Sequence, residues 1–331
     1  MTPETLYART EDNWALALHH YPGRGAGQRH PVLCIHGIAA NRLHFDLDER
    51  YSFARAARAR GFTVYLLELR GAGLSRAPGG RDRLLFQWGF ADYAERDVPT
   101  AIATVLEHAG VKSLHAVGHS MGGMLCLCGG VQASSEVRSI TTVGTPLVGQ
   151  LGLGLLERRL LQLAGTLGPA TTFTPPSQKR VPLRVLVGAA TRFVPFTARL
   201  ADGILLNGQN TEPEVVRRMA REGIADVPIQ MISEITSHAA GSAAGGPYAY
   251  ESRLYSVRAP TLALAGSADR VAPPASVRQL CSKLQCQDLR YRELGTRFGD
   301  RADYGHVDLL VGRNAPEEVY PLILDFLEEV D

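Results

Sequence analysis

Lysine is nearly missing from this chain: of 35 basic side chains among 331 residues, only Lys112, Lys179 and Lys283 are lysines, and none follows a glycine. A phosphate-binding P-loop needs a lysine directly after its glycine-rich turn, so a nucleoside triphosphatase is not expected. Charge of one sign is not in excess either. The 35 basic and 33 acidic residues leave a formal net charge of +2, too little for the electrostatic footprint of a nucleic-acid binder. No stretch of about 20 uncharged apolar residues occurs, so no transmembrane segment is expected. Met1 to Trp14 contains no apolar run between a basic start and a cleavage site, and without a visible secretory leader the expected location is cytoplasmic. Cysteine is scarce and odd in number, at five. Cys34, Cys126 and Cys128 fall in apolar stretches and read as reduced, buried hydrophobes, while Cys281 and Cys286 could pair only if the chain turned back. Zinc-ligand spacings are missing too, and His19 and His20 are adjacent on an expected strand and so point to opposite faces. No metal or other cofactor is expected.

What is present is the alternation of an α/β domain. Between Tyr7 and Pro146, short apolar or β-branched runs alternate with longer helical patterns, as in a mostly parallel sheet with helices on both faces. Strands are expected at Ala15–Tyr21, Pro31–Ile35, Phe62–Leu67, Leu114–Val117 and Ser139–Val143. A helix is expected from Ser52 to Arg60, stopped by Gly61; another carries Tyr93, Val98, Ile102, Val105 and Leu106 on one side and ends at Gly110. The pattern resumes with strands at Thr261–Ala265 and Leu289–Glu293, a helix around Pro274–Leu284, and a last helix that buries Val319, Leu322, Ile323, Phe326 and Leu327. Asn314 and Glu317 read as its capping box, and Pro321 as a kink within it.

The intervening stretch, 149–258, is far too long for an unstructured loop and must fold as a unit. Leu153, Leu156, Leu160 and Leu163 form one helical stripe; Thr211 and Glu214 read as a capping box around Pro213; Ile229, Ile232 and Ile235 mark a further helix. This predicts a core domain made of 1–148 and 259–331 with a helical cap at 149–258. Thr174-Pro175-Pro176-Ser177 and the glycine-rich Gly241–Pro247 are the expected linkers or hinges.

The sharpest local signal is Gly118-His119-Ser120-Met121-Gly122, a G-x-S-x-G sequence directly after an expected strand and at the start of an expected helix. A serine held in such a turn needs small neighbours, and the new helix aims its first amides at the same place. The Met121 amide can therefore stabilise an oxyanion formed when Ser120 attacks a carbonyl. A serine hydroxyl is a weak nucleophile unless a base takes its proton, so a histidine and an orienting acid should follow in chain order. Asp269 ends the strand-and-turn Pro260–Asp269; Asp288, Asp300 and Asp303 are weaker alternatives, because none directly follows a core strand. His306 is the last histidine of the chain and lies between the last strand and the final helix. A second oxyanion donor is expected in His36-Gly37-Ile38-Ala39-Ala40-Asn41, with the Ile38 amide as the candidate. His36 and His119 read as loop-shaping hydrogen bonders rather than second bases. Arg70-Gly71-Ala72-Gly73 lacks the third glycine of a dinucleotide loop, since Arg76 stands there.

With these residues in place the chain resembles an α/β-hydrolase of the lipase and esterase branch, over nearly its whole length outside the cap. Trp88-Gly89-Phe90-Ala91-Asp92, the run around Asp97-Val98-Pro99, Gly118-His119-Ser120 and His306-Val307-Asp308-Leu309 are similar to segments of acid lipases. Arg70-Gly71-Ala72-Gly73-Leu74-Ser75 resembles a loop common in the superfamily. The resemblance implies the α/β-hydrolase fold, Ser120 as nucleophile, His306 as base, Asp269 as acid, and ester hydrolysis without a cofactor. The leucine-rich cap, with Phe173, Phe193 and Phe196, suggests a small-molecule ester with a hydrophobic portion and leaves room for peripheral lipid contact through the cap. Acyl transfer, thioester or carbon-carbon cleavage by the same three residues, and a non-catalytic binding role, stay open at this point.

Overall fold

The computed structural model describes residues 3–24, 29–80, 86–132, 135–147, 205–231 and 250–331, with 180–181, 183–184, 187 and 234 between them. Its strands are β1 (Glu4–Arg9), β2 (Ala15–Tyr21), β3 (Val32–Ile35), β4 (Val64–Glu68), β5 (Leu114–His119), β6 (Val137–Val143), β7 (Arg180–Val181), β8 (Val227–Pro228), β9 (Thr261–Gly266) and β10 (Leu289–Leu294). Eight of them form one sheet in the order β1-β2-β4-β3-β5-β6-β9-β10, and β7 pairs with β8. The β1–β2 and β2–β4 pairings are antiparallel; from β4 to β10 every pairing is parallel.

Every residue of β3, β4, β5 and β9 is buried, the pattern of parallel strands covered on both faces. Side-chain alternation divides them between the two faces of the sheet. Leu33, Ile35, Leu114 and Ala116 pack with helices α2 (Val98–Ala109) and α3 (Met121–Gln132). Val32, Cys34, Val64, Leu66 and Val117 pack on the other face with α1 (Phe53–Ala59) and the carboxy-terminal helix, which buries Val319, Ile323, Phe326 and Leu327. All five cysteines are free thiols. Among the described residues no helix is long and apolar enough to cross a membrane.

A short helix at Phe90–Asp92 and a π-helical stretch at Tyr93–Asp97 lead into α2, and further helices are α4 (Pro213–Glu222), α5 (Tyr250–Leu254), α6 (Pro274–Cys281), α7 (Asp308–Val311) and α8 (Ala315–Val330). Most of the 149–258 stretch, including the Leu153–Leu163 stripe, Ile232, Ile235 and both expected hinges, lies outside the described residues. Its described part is packed on the core: Val215 and Met219 of α4 join Leu309, Leu310 and Tyr320, while Val227, Met231, Leu254 and Val257 join the opposite face.

Several local expectations are corrected. The strand Glu4–Arg9 was not anticipated, because this edge strand alternates only weakly between exposed and buried residues. Strand β5 runs two residues beyond Val117, to His119, and so feeds straight into Ser120. Neither capping box forms. Glu212 is the N-cap of α4, and the Thr211 hydroxyl instead donates to the Asn207 carbonyl at 3.0 Å. Asn314 has near-helical backbone angles (φ −102°, ψ −1°) that turn its side chain away from the first amides, and its Nδ2 donates to Asn210 Oδ1 at 3.2 Å. Pro321 lies inside helix α8, as expected.

The sheet reverses its winding between β3 and β5: the chain moves outward to β4 on one side and to β6 on the other. Loops leaving the carboxyl ends of these two strands diverge and open a crevice, the usual place for a site in such a sheet.

Candidate active site

Ser120 stands at that crevice, directly after β5. Its φ of 54° is one of three positive values among the described non-glycine residues, a strained conformation that turns the chain from strand to helix within one residue. The Ser120 amide donates to the Val143 carbonyl at 2.9 Å, and its own carbonyl accepts from Thr145 Oγ1 at 3.1 Å, which anchors the turn to β6. The flanking glycines are required by space. A methyl group on Gly118 would lie 2.3 Å from the Gly122 carbonyl, and one on Gly122 would lie 2.0 Å from the Ile35 carbonyl oxygen. The motif thus marks the place where β5, α3 and the end of β3 touch backbone to backbone.

His306 and Asp269, 186 and 149 positions away in the chain, meet Ser120 at the same rim. His306 Nε2 lies 2.9 Å from Ser120 Oγ, and its Nδ1 lies 2.8 Å from Asp269 Oδ2. Asp269 follows β9 in a tight turn, and its other oxygen, Oδ1, accepts the amides of Val271 at 2.8 Å and Ala272 at 2.7 Å. Those two bonds fix the carboxylate, leaving Oδ2 for the imidazole. With Nδ1–H donating to Asp269, Nε2 carries the lone pair that accepts the Ser120 hydroxyl proton. The other candidate acids are engaged elsewhere: Asp288 with Arg290 at 3.0 Å, Asp300 with Arg292 at 2.8 Å and Asp303 with Ser267 at 2.9 Å.

Four buried histidines crowd this edge, and their environments separate them. Burial pushes His119 down to about 3, His44 well below its ordinary value, and His36 down as well, so all three rings are neutral. His36 shapes its loop as expected, with Nδ1 on the Gly37 carbonyl at 2.8 Å and Nε2 accepting the Leu69 amide at 3.2 Å. His119 Nε2 donates to the His306 carbonyl at 3.0 Å and its ring packs 4.7 Å from the His306 ring. The residue next to Ser120 therefore holds the His306 main chain. Of these four, His306 is the ring joined to both a hydroxyl and a carboxylate.

The expected oxyanion donors flank the serine. Met121 is the first residue of α3, where an amide has no acceptor within the helix. The loop after β3 approaches from the other side: a methyl group on Gly37 would stand 3.1 Å from Ser120 Cβ, so the neighbouring Ile38 backbone runs beside the elbow.

Sequence reasoning missed what holds these loops. Asp308, fully buried, accepts the Gly305 amide at 3.0 Å, the Asn207 amide at 3.0 Å and Asn210 Nδ2 at 2.9 Å, while the Val307 amide donates to the Leu205 carbonyl at 2.8 Å. On the other side, Asn41 Nδ2 donates to the Glu222 carbonyl at 2.6 Å and the Ala225 amide to the Ala39 carbonyl at 2.9 Å. Residues 205–225 thus clasp both the histidine loop and the Gly37–Asn41 loop. No local pattern announces this; Asp308 was visible only through the resemblance. Arg70, also in a resembling segment, is structural: its guanidinium and amide grip the buried Asp97 at 2.7 to 3.0 Å, and Nη1 reaches Asp12 at 2.8 Å.

Comparison with known proteins matches this geometry at the level of fold. A family model described as alpha/beta hydrolase fold matches residues 30–312. Among curated proteins, a triacylglycerol lipase of Pseudarthrobacter phenanthrenivorans is 28% identical over 122 residues, which are 37% of this chain and 34% of the lipase. The chain therefore spans about a third of that relative's length. Among solved structures, a membrane phospholipase A superposes with a TM-score of 0.62 at 21% identity, covering 99% of this chain and 87% of that one. A thermophilic esterase from Thermogutta terrifontis gives 0.62 at 17% identity, covering 99% of both chains. At such identities these two likenesses speak for the fold alone.

Proposed function

The chain belongs to the alpha/beta hydrolase fold family, and from that premise we propose that it is a serine hydrolase cleaving carboxylic esters through an acyl-enzyme on Ser120. The observation that carries this reading is the continuous hydrogen-bonded line from Ser120 Oγ through His306 to Asp269, with contacts of 2.9 and 2.8 Å. In the first step Ser120 Oγ attacks the ester carbonyl while His306 Nε2 takes its proton; Asp269 stabilises the imidazolium and keeps its orientation. The negative charge that develops on the carbonyl oxygen is met by the amides of Met121 and Ile38. His306 then gives its proton to the leaving alcohol, and in a second step activates the water that frees the acid.

A lipase and an esterase among the similar proteins both act on ester bonds by their names, which supports the choice of bond. The leucine- and phenylalanine-rich 149–204 stretch supports a substrate with a hydrophobic portion. The test is turnover of p-nitrophenyl esters of increasing acyl length by wild type and Ser120→Ala, with fluorophosphonate labelling of the serine. Loss of a triad nucleophile costs on the order of 10⁴-fold or more. Equal rates in the two proteins, or an unlabelled Ser120 in folded protein, would overturn the proposal. Running the reaction with an added alcohol separates hydrolysis from acyl transfer, since transfer yields a new ester.

A further inference from the structure

We propose that His30, His115 and Asp331 form a zinc-binding site at the end of the sheet opposite Ser120. His115 is the second residue of β5, whereas Ser120 follows the last, so the two sites lie at opposite ends of one strand. The three side chains come from remote parts of the chain, with His30 and His115 lying 301 and 216 positions from Asp331. That separation hides the site from any reading of ligand spacing.

One ligand atom from each residue lies within 4.8 Å of the others. His30 Nδ1 is 2.9 Å and His115 Nε2 3.2 Å from the same oxygen, Asp331 Oδ1. A tetrahedral zinc with bonds of about 2.0–2.2 Å separates its ligand atoms by roughly 3.3–3.5 Å, so small shifts admit the ion. The His30 amide also donates to Oδ1, at 3.0 Å, so three donors converge on an oxygen with two lone pairs. A cation relieves that crowding. It would replace two of these hydrogen bonds with coordination by the rings' lone pairs, the ring protons moving to the opposite nitrogens.

The surroundings suit this exchange. Ser139 Oγ lies 2.8 Å from His115 Nδ1 and can accept its proton once Nε2 is a ligand, the outer-shell contact that orients a metal-bound imidazole. His30 and Asp331 are only partly buried, which leaves a path for the ion and a fourth position for water. Arg138 opposes the added positive charge, but its guanidinium is spent on the carbonyls of Val330 and Asp331 and leaves the Asp331 side chain to the histidines. The site would fasten the end of α8 to the starts of β3 and β5, and it stands whether or not Ser120 is a nucleophile.

The test uses the full chain, stripped with chelator, given zinc chloride and gel-filtered, with zinc measured by atomic emission and Tm by calorimetry. The expected result is one equivalent of zinc retained and a Tm that rises with zinc concentration. His30→Ala and Asp331→Asn, both at partly exposed positions, should each weaken binding at least tenfold, while Cys286→Ser should keep the full equivalent. Failure of the stripped wild type to retain zinc, or zinc retention by either ligand variant equal to that of the wild type, overturns the proposal.

Discussion

Asn210 Nδ2 donates to Asp308 Oδ2 at 2.9 Å, joining the segment that leads into α4 to the loop that carries His306. Burial pushes the Asp308 carboxyl up, and the three N–H donors around it pull the other way by favouring the ionised form. An amide in its place would set N–H against N–H. Asp308→Asn is therefore expected to cost about 1–3 kcal/mol of stability and to lower kcat, because the Gly305–His306 main chain loses its anchor. Urea unfolding together with ester kinetics checks this; an unchanged midpoint and kcat would show that the contact does not hold the loop.

Asp269→Asn isolates the tautomer argument. The asparagine oxygen can keep the Val271 and Ala272 amides, which points its NH2 group at His306 Nδ1. Nδ1 must then accept, the proton moves to Nε2, and Nε2 can no longer take the Ser120 proton. A loss on the order of 10⁴-fold in kcat with little change in Tm is expected. Retention of most of the activity would point to another acid.

Glycine substitutions at two positions should separate crowding from backbone strain. Gly122→Ala puts a methyl 2.0 Å from the Ile35 carbonyl oxygen, whereas Gly110→Ala, at a φ of 66°, meets nothing within 4 Å. The first must displace the end of β3 and with it the Ile38 loop, so at least ~1–3 kcal/mol and most of the activity should be lost. The second should cost about 1–2 kcal/mol and leave kcat intact. Equal behaviour of the two variants would contradict the packing described for the elbow.

Acid should unfold this protein early. In the unfolded chain a histidine binds its proton at its ordinary value of 6.5, but His115 in the folded protein does so only at about 4 and His119 only at about 3. The unfolded state then binds more protons between these values, so the contribution is fully present above pH 6.5 and is lost as pH falls through this window. His36 and His44 act in the same direction. Tm measured from pH 7.5 to 4.5 is expected to fall steadily below about 6.5, and a flat profile would mean that these rings are not held neutral.

Strands β3, β4, β5 and β9 were legible because a strand buried on both faces must be apolar along its length. The elbow was legible because its constraints are local: a serine between glycines, after a strand and before a helix. His306 and Asp269 followed from chain order and from the scarcity of histidines near the carboxyl end. The capping boxes misled, because Thr211 and Asn314 had nearer partners in Asn207 and Asn210 that no local pattern reveals. Glu4–Arg9 escaped because an edge strand in partial contact with solvent carries little periodicity.

By itself the sequence determined the α/β alternation and the strand–turn–helix at Gly118–Gly122, and it named the residues proposed to serve that turn, since each depends on neighbours within a few positions or on residue types that occur rarely. Only the tertiary structure decided which acid faces His306, which of four buried rings is joined to a hydroxyl, and that residues 205–225 clasp two loops from distant parts of the chain. It also decided that His30, His115 and Asp331 meet. The reason is physical: hydrogen bonds and coordination act over about 3 Å of space, and the sheet's crossovers bring together side chains that the chain itself separates by hundreds of residues.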